Sequence, residues 1–265
     1  MTPEALRRVL EDVAAHAARI GDLPDEAEGG APAGSIFRPV DGRMAGVVAD
    51  WVTPVARRWA PDLDLSPAEL ATVLAQGLVQ QRHIDAVEVA PSGLLAITLD
   101  DRARAEIIRT VEQGQATYAL EPSATYSPIA AQAPGSRLAE DPVARAQRAH
   151  ARMCRLIRNA EAVGVEVRSS ARIEELTHVS ERLLLVALAD LPQRLGTLAG
   201  DGGQQARTVG GLGRLADTWT HPLRPERLGE ALLPIFGARL ALARATRIVL
   251  RNGLARLGAH APERM

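Results

Sequence analysis

Four arginines define the chemistry this chain can offer: Arg145, Arg148, Arg152 and Arg155 recur at three- and four-residue spacing. On a helix they fall within an arc of about 80°, beside an apolar face of Ala149, Met153, Leu156, Ile157 and Ala160. Guanidinium forks pair with phosphate in bidentate fashion. The row therefore reads either as a ridge that contacts a nucleic-acid backbone or as the solvated side of an amphipathic helix. A second set, Arg244, Arg247 and Arg251, shares one face of a later helix, while Leu242, Ala245, Thr246, Val249, Gly253 and Leu257 share another. Trp219 adds an aromatic that either stacks on a base, worth about 1–3 kcal/mol, or fills a core.

Other chemistries find no support. Cys154 is the only cysteine, which removes an intramolecular disulfide and a cysteine-based zinc site. Six histidines are scattered from His16 to His260 without metal-ligand spacing. The glycine clusters Gly202-Gly203 and Gly210-Gly211-x-Gly213 lack the preceding strand that a phosphate-binding loop needs. No catalytic residue, metal or cofactor is assigned. All 31 basic residues are arginine, a usage that fits a GC-rich coding bias.

The 265 residues suit two domains better than one. Charge divides them: residues 1–120 hold 11 Arg against 18 Asp+Glu, a balance of −7, and residues 142–265 hold 19 Arg against 11, a balance of +8. Any nucleic-acid contact is thus expected in the second half. Between the halves, residues 121–141 are Pro/Ser/Ala-rich without periodicity and read as a linker. No run of about 18 apolar residues could span a membrane, and the first 20 residues read as an amphipathic helix and not a targeting signal, so a cytosolic protein is expected.

Local signals place the elements. Thr2-Pro3 opens a helix to about residue 19, residues 21–36 read as a mobile loop, and a helix is expected over 42–58 with Val47, Val48, Trp51 and Val55 inward. Trp51 and Trp59 read as packing residues. Ser66-Pro67-Ala68-Glu69 is a capping box for a helix over 67–81. Residues 84–90 and 94–99 flank Pro91-Ser92-Gly93 as a β-hairpin, and Asp100-Asp101 caps a helix to about Tyr118. In the second half, Asp141-Pro142 opens a helix to about residue 162, followed by helices over 173–198 and 204–220. A last helix stops at Gly258, because glycine takes the left-handed cap conformation.

The last helix also carries a resemblance. Arg239-Leu240-x-Leu242, Val249-Leu250-x-Asn252-Gly253-Leu254, Leu257-Gly258 and Ala261-Pro262-Glu263-x-Met265 resemble the C-terminus of arginyl-tRNA synthetases, which closes their all-helical anticodon-binding (DALR) domain. Gln147-x-Ala149-His150-Ala151-Arg152 is similar to the family's Tyr-Val-Gln-Tyr-Ala-His-Ala-Arg motif. Thr177-His178-x-x-Glu181-Arg182-x-Leu184 and Leu215-Ala216-x-x-Trp219 resemble later family helices. Helices followed by a Pro-x-Gly hairpin are similar to the family's N-terminal accessory domain, which recognises the tRNA elbow. Here Gly93-Leu94-Leu95-Ala96-Ile97 stands where that hairpin usually has an aromatic and an asparagine.

The resemblance implies a mainly α protein: a small α+β accessory-like domain over 1–120, a linker over 121–141 in place of the catalytic domain, and an all-α anticodon-binding bundle over 142–265. Neither the family's HIGH-type nor its lysine-bearing KMSKS-type motif occurs, so no ligase activity is expected. The implied function is non-catalytic binding of tRNA, of the arginine-accepting kind, with Arg145, Arg148, Arg152, Arg155, Trp219, Arg244, Arg247, Arg251 and Met265 as the candidate RNA contacts. The alternative is an interaction module that keeps the fold, has lost RNA, and binds the true synthetase or another protein.

Overall fold

A computed structural model describes residues 1–40, 49–115, 117–120, 141–167, 172–225, 227 and 230–265. The expected linker over 121–141 lies outside the described residues except for Asp141. The chain divides into two compact units, Met1–Arg104 and Ala105–Met265.

In the first unit, α1 (Pro3–Arg19) begins where the Thr2 hydroxyl accepts a hydrogen bond from the Ala5 N–H at 3.3 Å. Its apolar face of Leu6, Leu10, Val13 and Ala17 is buried. The segment after it, expected as a mobile loop, instead carries a 3-10 turn (Asp25–Gly29), and arginine forks hold residues 31–35. Arg7 donates to the carbonyls of Ala31, Pro32 and Gly34, and Arg58 to those of Ala33 and Ser35.

The helix expected over 42–58 is corrected. Residues 41–48 lie outside the described residues, and the remainder forms a strand, β2 (Trp51–Thr53), then the short helix α2 (Val55–Trp59). Pro54 explains the break, since the residue before a proline is driven from helical to extended backbone, and Val52 and Thr53 are β-branched. Trp51 and Trp59 are nevertheless core residues.

Helix α3 (Pro67–Val79) has its full capping box: Ser66 Oγ accepts from Glu69 N at 3.2 Å, and the Glu69 carboxylate accepts from Ser66 N at 2.9 Å. Strands β3 (Ile84–Val89) and β4 (Leu95–Leu99) form the expected hairpin, turned by Gly93 at φ +76°. Ala90 O accepts from Gly93 N, and Ala90 N donates to Leu94 O, both at 2.9 Å. This is a turn that needs a left-handed third residue. With β1 (Arg38–Pro39), the strands make one antiparallel sheet of order β1-β2-β4-β3. Trp51 pairs with Ile97 and Thr53 with Leu95. Beside the sheet, a buried ion pair joins Arg104 and Asp50 at 2.8 Å, and Asp50 also accepts from Leu99 N.

Helix α4 (Asp101–Gly114) leads into the second unit, a bundle of α5 (Pro142–Glu161), α6 (Val179–Thr197), α7 (Gly202–Thr218) and α8 (Pro234–Arg256). The expected helix over 173–198 starts later, at Val179, after a separate 3-10 turn (Ile173–Glu175). His178 is its cap: Nδ1 accepts from Ser180 N, while the Glu181 carboxylate accepts from His178 N. Pro192 lies inside α6 and has no N–H for the Leu188 carbonyl. The Tyr118 hydroxyl donates to that carbonyl at 3.0 Å instead.

Glycines draw the bundle together. A Cβ on Gly210 would meet Pro142 atoms, backbone included, at 2.7–2.8 Å, and one on Gly213 would meet the Ala146 backbone at 3.1 Å. The cluster that lacks the strand of a phosphate loop is thus the seam between α7 and α5. Gly253 admits Val209 in the same way, at 3.1 Å. Next to it, Asn252 donates to the carbonyls of Gln115 and Tyr118, and the buried Arg256 donates to Leu195 O. Helix α8 ends as the sequence predicts. Gly258 sits at φ +66°, Gly258 N donates to Ala255 O and Ala259 N to Leu254 O, both at 2.9 Å.

Candidate nucleic-acid interface

The long helix α5 begins at a double cap, Asp141 accepting from Val143 N and Ala144 N. Ala149, Met153, Ile157 and Ala160 are buried, which fixes the helix's rotation. Arg145, Arg148 and Arg152 are then left half-buried and Arg155 exposed along one edge.

That edge is one wall of an open cleft of about 550 Å³. Helix α5 contributes Arg148, Ala151, Arg152, Arg155 and Arg158, and the last turn of α7 contributes Asp217. The final segment closes the cleft with Glu263, Arg264 and Met265. Five arginines face two carboxylates, so the lining is net positive, as an anionic ligand requires.

Helix α5 also holds that final segment. Gln147 Nε2 donates to His260 O at 2.9 Å, His150 Nδ1 donates to Pro262 O at 2.8 Å, and Arg158 reaches Glu263 O at 3.4–3.5 Å. Burial holds His150 below the ordinary histidine pKa; the bond to Pro262 opposes this, and Arg247 and Arg251 reinforce it. The ring is thus neutral with its proton on Nδ1, facing an oxygen that can only accept. Two members of the family-like motif, Gln147 and His150, are therefore fasteners of the final segment.

Arg152 ties the cleft to the bundle. Its two terminal nitrogens donate to Ala216 O at 2.7 Å and Trp219 O at 2.9 Å, on either side of Asp217 in sequence. Burial lowers the Arg152 pKa, with Asp217 opposing. Asp217 is raised, because burial outweighs the attraction of Arg152, Arg148 and Arg145.

The candidates taken from the sequence separate into three groups. Arg148, Arg152, Arg155 and Met265 meet at the cleft, with Arg145 close enough to act on Asp217. Trp219 takes the core role: it is fully buried, with no ring face open to a base. The α8 arginines stay off the cleft lining. Arg244 pairs with Glu161 at 2.6 Å, Arg247 lies against Cys154, and Arg251 donates to Asn252 Oδ1 at 3.2 Å. Cys154 itself is buried and its thiol is raised by that burial, which keeps it unreactive.

Sequence reasoning misses Arg158, Asp217, Glu263 and Arg264 as cleft residues. Arg158 has a signal, since it continues the spacing of Arg152 and Arg155 by one more step. Asp217 has none, because only the α5–α7 seam brings it to the arginines. Among the described residues no cluster of histidine, cysteine and carboxylates is placed to hold a metal, and no helix is long and apolar enough to cross a membrane.

A helical bundle closed at glycine seams, with a row of arginines along one cleft, defines the class of the second unit. The DALR anticodon binding domain model matches residues 146–265. The arginine–tRNA ligase of Frankia alni (strain DSM 45986 / CECT 9034 / ACN14a) is 41% identical over 130 residues, covering 48% of this chain and 24% of that protein. The arginine–tRNA ligase of Shouchella clausii (strain KSM-K16) is 30% identical over 142 residues, covering 49% and 23%. The chain thus spans about a quarter of the length of these curated relatives. No solved structure matches the chain.

Proposed function

We propose that the DALR unit binds tRNA at the anticodon arm through the α5 cleft, and that the chain does so in the cytoplasm without charging the tRNA. The observation that carries this reading is the convergence of five arginines on one cleft within the segment that matches the anticodon-binding family. Arg148 and Arg155 supply phosphate contacts, and Arg152, braced on two carbonyls, sets the floor. Arginine-accepting tRNA is the preferred partner by similarity to the two ligases. Residues 1–120 act as an accessory-like domain toward the tRNA elbow, and residues 121–141 stand where a synthetase holds its catalytic domain.

The test is tRNA affinity across a salt series for the wild-type chain and for Arg148→Gln/Arg155→Gln. Each lost phosphate contact reduces the slope of log K against log salt by about 0.7 for a single strand, so the double variant loses about 1.4. An unchanged slope rejects the cleft. Arginine-dependent ATP–pyrophosphate exchange by the purified chain would reject the non-catalytic assignment.

A second reading is an interaction module that has kept the fold, with the true synthetase or another protein as partner. The burial of Trp219 favours it, since it removes the one base-stacking aromatic the sequence offered. An RNA binder purifies with nucleic acid at low salt and sheds it at high salt. A pure interaction module carries none at either.

A further inference from the structure

Asp217 is costly where it stands. It lies in the last turn of α7, where the helix dipole disfavours negative charge, and it is half-buried. Arg152, Arg148 and Arg145 attract it, but among the described residues its carboxylate makes no hydrogen bond or contact-distance ion pair, since Arg152 directs both terminal nitrogens at the flanking carbonyls. Its acceptor capacity therefore opens into the cleft, between the guanidinium groups of α5.

A site meant for phosphate alone gains nothing from a carboxylate in its lining, since like charges repel. A site that takes a whole nucleotide does gain. The arginines hold the phosphate, and a paired acceptor is left to read a base. We propose that Asp217 is the specificity residue of this cleft and that it selects an unstacked guanine. The reason is the donor pattern of the Watson–Crick edge, which is exposed only in unpaired nucleotides. Guanine presents two adjacent donors there, N1–H and the N2 amino group, matching the two oxygens of one carboxylate. Cytosine and adenine present one amino donor beside a ring nitrogen whose lone pair faces the second oxygen. Uracil presents one N–H between two carbonyls, so it matches worst. Ala151 and Met265 give the base an apolar wall, and Arg155 and Arg158 reach the phosphate side. The pKa of Asp217 is raised chiefly by burial, which agrees with its place inside the cleft lining.

Guanine selection rests on RNA binding by the cleft, and the experiment separates the two. Four uridine pentamers with G, C, A or U at the centre are titrated against the full chain and against Asp217→Asn at neutral pH. The expected result is that the G-centred pentamer binds about tenfold tighter than the all-uridine one, with C and A between them. In Asp217→Asn the preference falls to within about twofold, while the all-uridine pentamer binds at least as tightly as before, since a repelling charge is gone. Acidification should erase the preference in the wild type as Asp217 takes up a proton, and should leave Asp217→Asn unaffected.

Equal binding of all four pentamers with the salt dependence intact overturns the role of Asp217 and leaves the cleft standing. A variant that lowers all four affinities by one factor and keeps the ranking assigns Asp217 a structural role and also overturns it. Absence of binding by every RNA at low salt rejects the cleft, and the proposal with it.

Discussion

In the unit Met1–Arg104, arginines turn inward. Arg7 and Arg58 hold five backbone carbonyls between residues 31 and 35, and Arg104 bonds the buried Asp50. In the unit Ala105–Met265, α5 turns its arginines along an open cleft, and Arg152 braces that lining on two carbonyls of the bundle. The same side chain thus serves as structural glue in an acidic unit and as a cleft-lining charge in a basic one. What separates the two uses is whether the side chain lies along the cleft, which charge balance alone does not reveal.

The contrast is broken most sharply at the buried pair. Asp50→Ala leaves Arg104 without this carboxylate at a site where both side chains are under a tenth exposed. Arg104 keeps Asp101 and the Leu99 carbonyl, so denaturant titration should show a loss short of the ~3–5 kcal/mol of a fully stranded buried charge. A loss below about 1 kcal/mol would mean that the pair is solvated.

Gly210→Ala tests the frame that holds the second use. The added methyl gains about 1 kcal/mol of helix propensity, but it meets Pro142 at 2.7 Å, backbone included, and the seam must open. Overpacking costs about 1–3 kcal/mol. A lower melting temperature is expected, together with weaker RNA binding, because Asp217 moves relative to α5.

Acid should distinguish buried histidines from buried carboxyls by sign. Burial holds His150 and His221 below their ordinary value. Their contribution to stability is therefore complete above about pH 6.5 and is lost as pH falls from there toward the depressed folded values. Asp217 and Glu112 are raised by burial, so each stabilises while protonated and loses that contribution as pH rises through its folded value. Melting temperature against pH should therefore fall on the acid side in the wild type, more gently in His150→Gln, and Asp217→Asn should melt higher at neutral pH.

The smallest effect is also the most diagnostic of role. Arg7→Gln or Arg58→Gln should lower stability and leave the salt slope of RNA binding unchanged. Arg155→Gln should leave stability nearly unchanged and reduce the slope by about 0.7.

Legibility in the sequence depends on range. Caps and turns are plain because they are local: Ser66 with Glu69, Asp141 with Pro142, and Gly93 and Gly258 in left-handed conformations. The strand at Trp51–Thr53 is hidden because apolar spacing across 42–58 also fits a helix, and only the steric demand of Pro54 on its neighbour argues against one. The α5 row is visible as a row. Its cleft is not, since Asp217 and Glu263 reach it only through the glycine seam and the carbonyl clasp of Gln147 and His150. Trp219 shows the opposite failure: an aromatic near basic residues suggests stacking, and tertiary packing encloses it.

The most direct test of anticodon-arm binding is equilibrium titration of the full chain with an arginine-accepting tRNA, the same tRNA with its anticodon changed, and an unrelated tRNA, across a salt series. Selective binding that depends on the anticodon and weakens with salt is the expected result. Weak and equal binding of all three would contradict it and leave the DALR fold serving a protein partner.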